Sequence, residues 1–229
     1  MVEFHHVSKV YGRGRGRPVP ALAGVTFAVR QDEMVCLFGP SGAGKTTALR
    51  LVYRQELPTE GEVVVAGEAV SRFGPRAVAH LRRRIGIVFQ DGRLLADRTV
   101  AGNVAFVLRV QGTPRHELRE RVLEALRSVG LHRRPNARLA ELSAEGRQRL
   151  ALARALVTEP PLLLADEPTG SLDGDAAGEI LEVLRGVHAR GATLIVATHQ
   201  RAVAERLQCR TLLLAGGRLE GEMARAGDG

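Results

Sequence analysis

Tryptophan is absent from this chain of 229 residues, and aromatic residues make up only 3% of it. So few rings cannot form the stacking platform on which single-stranded nucleic acid is held. Cysteine occurs twice, at Cys36 and Cys209, in neither a C-x-x-C nor a Cys/His pattern, which speaks against a zinc module or a disulfide-stapled scaffold. Cys36 falls in the apolar run Met34–Phe38 and reads as a small buried hydrophobe. No apolar run approaches the roughly 18 residues that span a bilayer. Met1-Val-Glu-Phe-His-His6 lacks the basic and then apolar pattern of a signal peptide, so the expectation is a cytoplasmic protein. Lysine is nearly missing too: Lys9 and Lys45 are the only two among 33 cationic side chains, the other 31 being arginine. A chain that otherwise uses arginine thus places one lysine inside a glycine-rich loop, where a compact ammonium fits and a forked guanidinium does not.

What the chain does have is positive charge, a formal net of +8. That excess invites a nucleic-acid or membrane-surface reading. The arginines are spread along the whole chain, however, with only short clusters such as Arg82-Arg83-Arg84. Basicity of this kind suits a protein resting near anionic lipid headgroups and names no specific nucleic-acid partner.

The first third reads as strands: Val2–Tyr11 and Val19–Val29, joined by the low-complexity hairpin loop Gly12–Pro18, then Met34–Phe38 and, after a helix over about 45–52, Glu62–Ala66. Ile85–Phe89 is a further strand. Leu118, Val122, Ala125, Leu126 and Val129 recur at helical spacing and predict a helix over about 114–129, with Pro114 in its first turn and Gly130 at its end. Ser143 is a good N-cap for a helix reaching about Thr158. Strand and helix then alternate: Leu162–Ala165, a helix near 175–190, Thr193–Ala197 and Thr211–Ala215. Continuous apolar strands separated by helices imply an α/β fold with a parallel sheet covered on both faces. The glycine-rich tail from Gly216 is expected to fray.

Gly39-Pro40-Ser41-Gly42-Ala43-Gly44-Lys45-Thr46 fits G-x-x-x-x-G-K-S/T, with an apolar strand before it and a helix after it. The glycines let successive N–H groups curl inward onto phosphate oxygens, and the helix N-terminus adds positive potential at the same place. Lys45 then reaches the β- and γ-phosphates, and the Thr46 hydroxyl, followed by Thr47, ligates Mg²⁺. Leu162–Ala165 runs into Asp166 and Glu167, two carboxylates at the end of an apolar strand. Asp166 suits Mg²⁺ held through water, and Glu167 suits the general base or the group that orients the attacking water. Gln90 and His199 also follow strands. There a Gln can join the Mg²⁺ shell and a His can bond the γ-phosphate; singly, each equally suits an ordinary loop residue or helix cap.

In order and spacing these pieces resemble the ATP-binding subunits of ABC transporters. The resemblance covers about residues 2–220. It implies a P-loop NTPase with a RecA-like, mostly parallel core, an antiparallel β lobe (about 1–35 and 60–70) and a helical lobe (about 91–158), all in one ATP-binding domain. It matches Tyr11 to the aromatic that stacks on adenine, Gly39–Thr46 to Walker A and Gln90 to the Q-loop. Leu162–Glu167 then matches Walker B, Ser171-Leu172-Asp173 the D-loop, and His199 the switch histidine. Phe4–Tyr11, Leu81–Asp91 and Leu94–Val100 with Asn103-Val104 bring the chain closer still to the FtsE family of cell-division ATP-binding proteins. That family implies ATP and Mg²⁺ as cofactors, an ATP-bound homodimer, and an integral membrane partner of the FtsX type. It also implies a peripheral place on the inner face of the cell membrane and a role in activating cell-wall hydrolases. Lipoprotein-release and macrolide-export motors share many of these stretches and are the alternative; a soluble DNA-associated ABC ATPase is the third reading. Leu94, Leu95 and Val100 are candidate apolar contacts for the membrane partner, or else core residues.

One stretch departs from the resemblance. The family signature, Leu-Ser-Gly-Gly-Gln/Glu, here reads Leu142-Ser143-Ala144-Glu145-Gly146. In the family this segment crosses the dimer and offers N–H groups, a serine and a helix N-terminus to the γ-phosphate of the partner's ATP, which makes Ser143 and Gly146 binding residues. Glu145 either brings a carboxylate close to that polyanion and weakens the sandwich, or points away while Gly146 keeps part of the contact.

Overall fold

Apolar residues at alternate positions give β1 (Val2–Tyr11) one buried face, with Val2 and Phe4 inside. The alternation slips at His5-His6, both exposed: His6 takes φ 49° and the pairing to both neighbouring strands shifts register. This bulge returns Val7 to the buried face. The computed structural model describes residues 1–12, 17–170 and 172–223; most of the Gly12–Pro18 loop lies outside them.

After β1 come β2 (Val19–Val29), β3 (Met34–Phe38), α1 (Lys45–Val52), β4 (Glu60–Val65), β5 (Glu68–Ala69), α2 (Pro75–Arg83) and β6 (Ile85–Val88). The helices α3 (Val100–Val110), α4 (Arg115–Ser128) and α5 (Ala144–Leu156) follow. Then come β7 (Leu162–Asp166), α6 (Gly174–Ala189), β8 (Thr193–Thr198), α7 (Arg201–Leu207), β9 (Arg210–Ala215) and β10 (Arg218–Met223). The chain folds as two compact bodies: residues 1–82 with the stretch from Thr193 onward, and residues 83–192.

In the first body, β2-β1-β4-β5 form an antiparallel sheet. Its core is marked by the stacked rings of Phe4 and Phe27, 4.4 Å between centroids. A second sheet is centred on β3, which pairs parallel with β8 (Met34 opposite Leu194) and with β9 (Val35 opposite Arg210). Met34 to Leu37 and Leu194 to Ala197 are buried without a break, as strands covered on both faces must be. Because β3 and β8 are parallel, the chain leaves Phe38 and Thr198 side by side. The loops that follow both start at carboxyl ends, where open α/β sheets hold ligands.

The expected fraying from Gly216 is overturned. Arg218–Met223 forms β10, antiparallel to β9, so this sheet is not wholly parallel. Composition conceals the cause, a charge-assisted cross-strand pair. Arg210 donates from Nε and Nη2 to the two carboxylate oxygens of Glu222, at 2.5 and 3.0 Å, and from Nη1 to Ala28 O and Glu33 Oε1. Those bonds hold the Glu222 carboxyl below its ordinary range. Residues 224–229 lie outside the described residues.

In the second body β6 and β7 pair parallel, Ile85 opposite Leu162, and α3, α4 and α5 pack on one another through Val104, Leu108, Val122, Leu126 and Leu150. Thr99 caps α3, accepting from Gly102 N–H at 3.0 Å. Asn103, fully buried, accepts from Leu95 N–H at 2.8 Å and donates to Leu95 O and Thr99 O at 3.1 Å each. This stapled loop decides the candidate apolar contacts. Val100 is fully buried at the first turn of α3, its N–H donating to Ala137 O, and is core; Leu94 and Leu95 are half-buried.

Candidate functional site

The loop after β3 begins at Gly39, whose N–H donates to Thr198 O. A Cβ on Gly39 would stand 2.0 Å from Leu214 O, so no larger residue fits there. Gly44 closes the loop at φ 102° as the N-cap of α1, and a Cβ there would lie 2.4 Å from Ala21 O. Gly42, at φ 80°, faces open space. The Lys45 side chain is buried, its ammonium donating to Gly39 O at 2.7 Å and Pro40 O at 3.1 Å. The cation is thus folded back into the concave face of its own loop. Pro40 and Ser41 are exposed, Ala43 and Thr47 buried, and Thr46 half-buried one residue into α1. The loop therefore offers curled amides, a helix start, one ammonium and a hydroxyl, an arrangement that takes a polyphosphate.

Two other predicted residues share this body. Tyr11 ends β1, half-buried, with Lys9 Nζ 4.9 Å from its ring centroid; its hydroxyl is buried with no hydrogen-bond partner. His199 follows β8, exposed, beside the Thr198 whose carbonyl receives Gly39. The structure thus brings the loop and His199 together at neighbouring strand ends.

The remaining predicted residues belong to the second body. Asp166 is the last residue of β7 and Glu167 the first beyond it, each 7% exposed. Glu167 sits at φ 48°, a left-handed conformation costly for a residue with a Cβ. The turn that holds it there has Gly170 N–H on Glu167 O at 3.1 Å and Leu172 N–H on Thr169 O at 2.8 Å. Gln148 of α5 adds a side-chain bond, Nε2 to Pro168 O at 2.6 Å. Gln90 is exposed just after β6, and the loop beyond it is pinned by Arg154, which donates to Gly92 O and Arg93 O. Burial pushes the Arg154 guanidinium pKa down. Asp173 caps α6, Oδ1 accepting from Ala176 N–H at 3.0 Å; Ser171 lies outside the described residues.

Ser143 caps α5, its Oγ accepting from Gly146 N–H at 3.1 Å. Gly146 is buried and its amide is committed to that cap, while the hydroxyl of exposed Ser143 keeps a proton to donate. The Glu145 carboxylate is held by Arg149, whose Nε and Nη2 lie 2.8 and 2.7 Å from Oε1. The Glu145 carboxylate is therefore turned to Arg149, while the Gly146 amide, expected to keep part of the contact in that arrangement, is taken up by Ser143.

Sequence reasoning passed over Gln148, Arg149 and Arg154 as functional candidates. A signal existed for Arg149, since Glu and Arg four apart on a helix lie on one face; Gln148 and Arg154 act on carbonyls that no motif marks.

Comparison with known proteins agrees with this chemistry. The family model described as ABC transporter matches residues 22–170. The chain is similar to the cell division ATP-binding protein FtsE of Escherichia coli (strain K12), 42% identical over 221 residues, 96% of this chain and 98% of that one. It is also similar to the methionine import ATP-binding protein MetN of Caulobacter vibrioides, 40% identical over 98% of this chain and 67% of that one. Among solved structures, the dimeric post-hydrolysis state of the ATP-binding cassette MJ0796 bound to ADP and Pi superposes with a TM-score of 0.91, at 34% identity, over 99% of this chain and 100% of that one.

Proposed function

Since the chain belongs to the ABC transporter family as an ATP-binding, ATP-hydrolysing subunit, we propose that two copies close on ATP as a sandwich and drive an FtsX-like integral membrane partner in cell division and cell-wall hydrolase activation. The observation that carries the chemistry is the Lys45 ammonium drawn into the Gly39–Gly44 loop. Full-length similarity to a cell-division ATP-binding protein supports the biological role.

In this reading the loop amides and Lys45 receive the β- and γ-phosphates while Tyr11 stacks on the adenine. Thr46, Asp166 and Gln90 offer only oxygen donors, the set a hard Mg²⁺ ion takes. Among the described residues no group of three His, Cys, Asp or Glu could cage a metal by itself, and Mg²⁺ needs none when phosphates complete its shell. When bound, Mg²⁺ neutralises the charge that builds on the phosphates. Glu167 accepts the proton of the attacking water, His199 bonds the γ-phosphate, and Asp173 caps α6 at the end of the turn that follows Glu167. Ser143 and the first turn of α5, with Gly146 behind them, face the ATP held by the other copy. Opening after hydrolysis moves the membrane partner.

The likeness to the methionine import protein favours a second reading, the motor of a transporter. The membrane protein that co-purifies with the tagged chain separates the two. A four-helix FtsX-like partner supports the first, and a permease with a substrate cavity rules it out.

A further inference from the structure

Glu145 presents a problem that the geometry around it answers. A carboxylate in the first turn of a helix is attracted to the helix start by the partial positive charge there. Left alone, it would sit among the amides of Ala144 and Glu145, which have no acceptor within the helix. If that turn receives the γ-phosphate of a second copy's ATP, the acid and the phosphate compete for the same donors and repel each other.

Arg149, one turn further along α5, removes the acid. Its Nε and Nη2 take Glu145 Oε1 at 2.8 and 2.7 Å, with Glu N-terminal to Arg, the favourable order at this spacing. Arg149 is itself immobilised. Nη1 donates to Val129 O at 3.2 Å, Nη2 donates to Glu179 Oε2 on α6 at 2.5 Å, and only 16% of the side chain is exposed. A guanidinium fixed by α6 and by the chain after α4 cannot follow the carboxylate back to the helix start. The carboxylate has to come to it.

We propose that Arg149 is a positioning residue of the ATP sandwich: it withdraws Glu145 from the first turn of α5 and leaves that turn, with the Ser143 hydroxyl, open to the γ-phosphate of a second copy's nucleotide. This rests on the sandwich reading above. The signature tolerates an acid because the neighbouring turn supplies the base that holds it.

The test uses the full chain carrying Glu167→Gln, which retains ATP, with dimerisation followed by sedimentation as ATP-Mg²⁺ is added. Arg149→Met, which keeps an apolar stem, weakens ATP-driven dimerisation about tenfold, and added salt recovers part of the loss by screening the freed carboxylate. Adding Glu145→Gly to Arg149→Met restores dimerisation to within about twofold of the parent. A double variant that dimerises as poorly as Arg149→Met overturns the proposal and leaves Arg149 a purely structural tie. A second measurement keeps Arg149 in place and so does not depend on that variant folding. Glu145→Gly alone changes dimerisation by no more than about twofold, whereas a tenfold gain shows Glu145 repelling phosphate despite Arg149 and also overturns it. A parent that forms no dimer with ATP fails differently, for then the sandwich reading itself falls.

Discussion

The two bodies hold their candidate site residues by opposite means. In residues 1–82 with the stretch from Thr193, the work is done by main chain. Amides curl around Gly42 and Gly44, and the buried cation Lys45 rests on two carbonyls of its own loop. In residues 83–192 it is done by side chains that hold other groups in place. Gln148 binds Pro168 O behind Glu167, Arg154 binds the loop behind Gln90, and Arg149 binds Glu145. A main-chain cradle is specified by where glycine is allowed. A side-chain brace is specified by which residues meet in space. The first body is thus suited to gripping a constant feature, the polyphosphate, and the second to setting the posture of reactive groups.

If that contrast is right, loosening the brace behind Glu167 costs rate and damage to the main-chain cradle around Lys45 costs binding. The largest effect is expected at Glu167. Glu167→Gln removes the proton acceptor and lowers turnover by about 10²–10⁴-fold while ATP affinity stays within about twofold. Unchanged steady-state phosphate release would remove Glu167 from the chemistry. Lys45→Ala comes next: loss of a buried ammonium from the phosphate loop weakens ATP binding about a hundredfold by titration calorimetry. Affinity that survives intact would mean the loop is not the phosphate site.

Gln148 tests the brace rather than the reactive group. Glu167 at φ 48° is strained, and such a conformation persists only where the surroundings hold it. Gln148→Leu frees Pro168 O and lets the turn relax. It lowers kcat about tenfold with KM for ATP nearly constant. A matched change in KM instead would put Gln148 on the binding side of the contrast.

The contrast also explains what could be read without coordinates. Strands β1, β2 and β3 and the helix start at Lys45 fall where periodicity and the glycine spacing put them, because each depends on residues adjacent in sequence. Ser143 as the cap of α5 was legible for the same reason. The burial of Val100 was not, since it follows from Asn103 fastening the loop at Leu95 and from Ala137 receiving the Val100 N–H, contacts that a hydropathy pattern cannot show. The commitment of the Gly146 amide to Ser143 and the capture of Glu145 by Arg149 turn on side-chain rotamers. A motif match records which residue is present and not which way it faces.

The strand misjudged as a fraying tail gives the smallest effect and the clearest sign. Arg210 holds the Glu222 carboxyl below its ordinary range through two hydrogen bonds, the largest cause, and through charge. A carboxyl whose folded pKa is depressed binds fewer protons in the folded state than in the unfolded one. Its contribution is fully present above the unfolded value and is lost as pH falls through the folded value. Glu222 is 45% exposed, so solvent screens most of the pair and the Tm difference between the chain and Glu222→Gln at neutral pH should be about 2 °C or less. That difference should vanish on acidification below the ordinary carboxylate range, as Glu222 takes up its proton and becomes as neutral as the glutamine. A difference that persists unchanged in acid would mean β10 is held by its backbone pairing to β9 and by apolar contact, with Arg210 an ornament on a strand that forms without it.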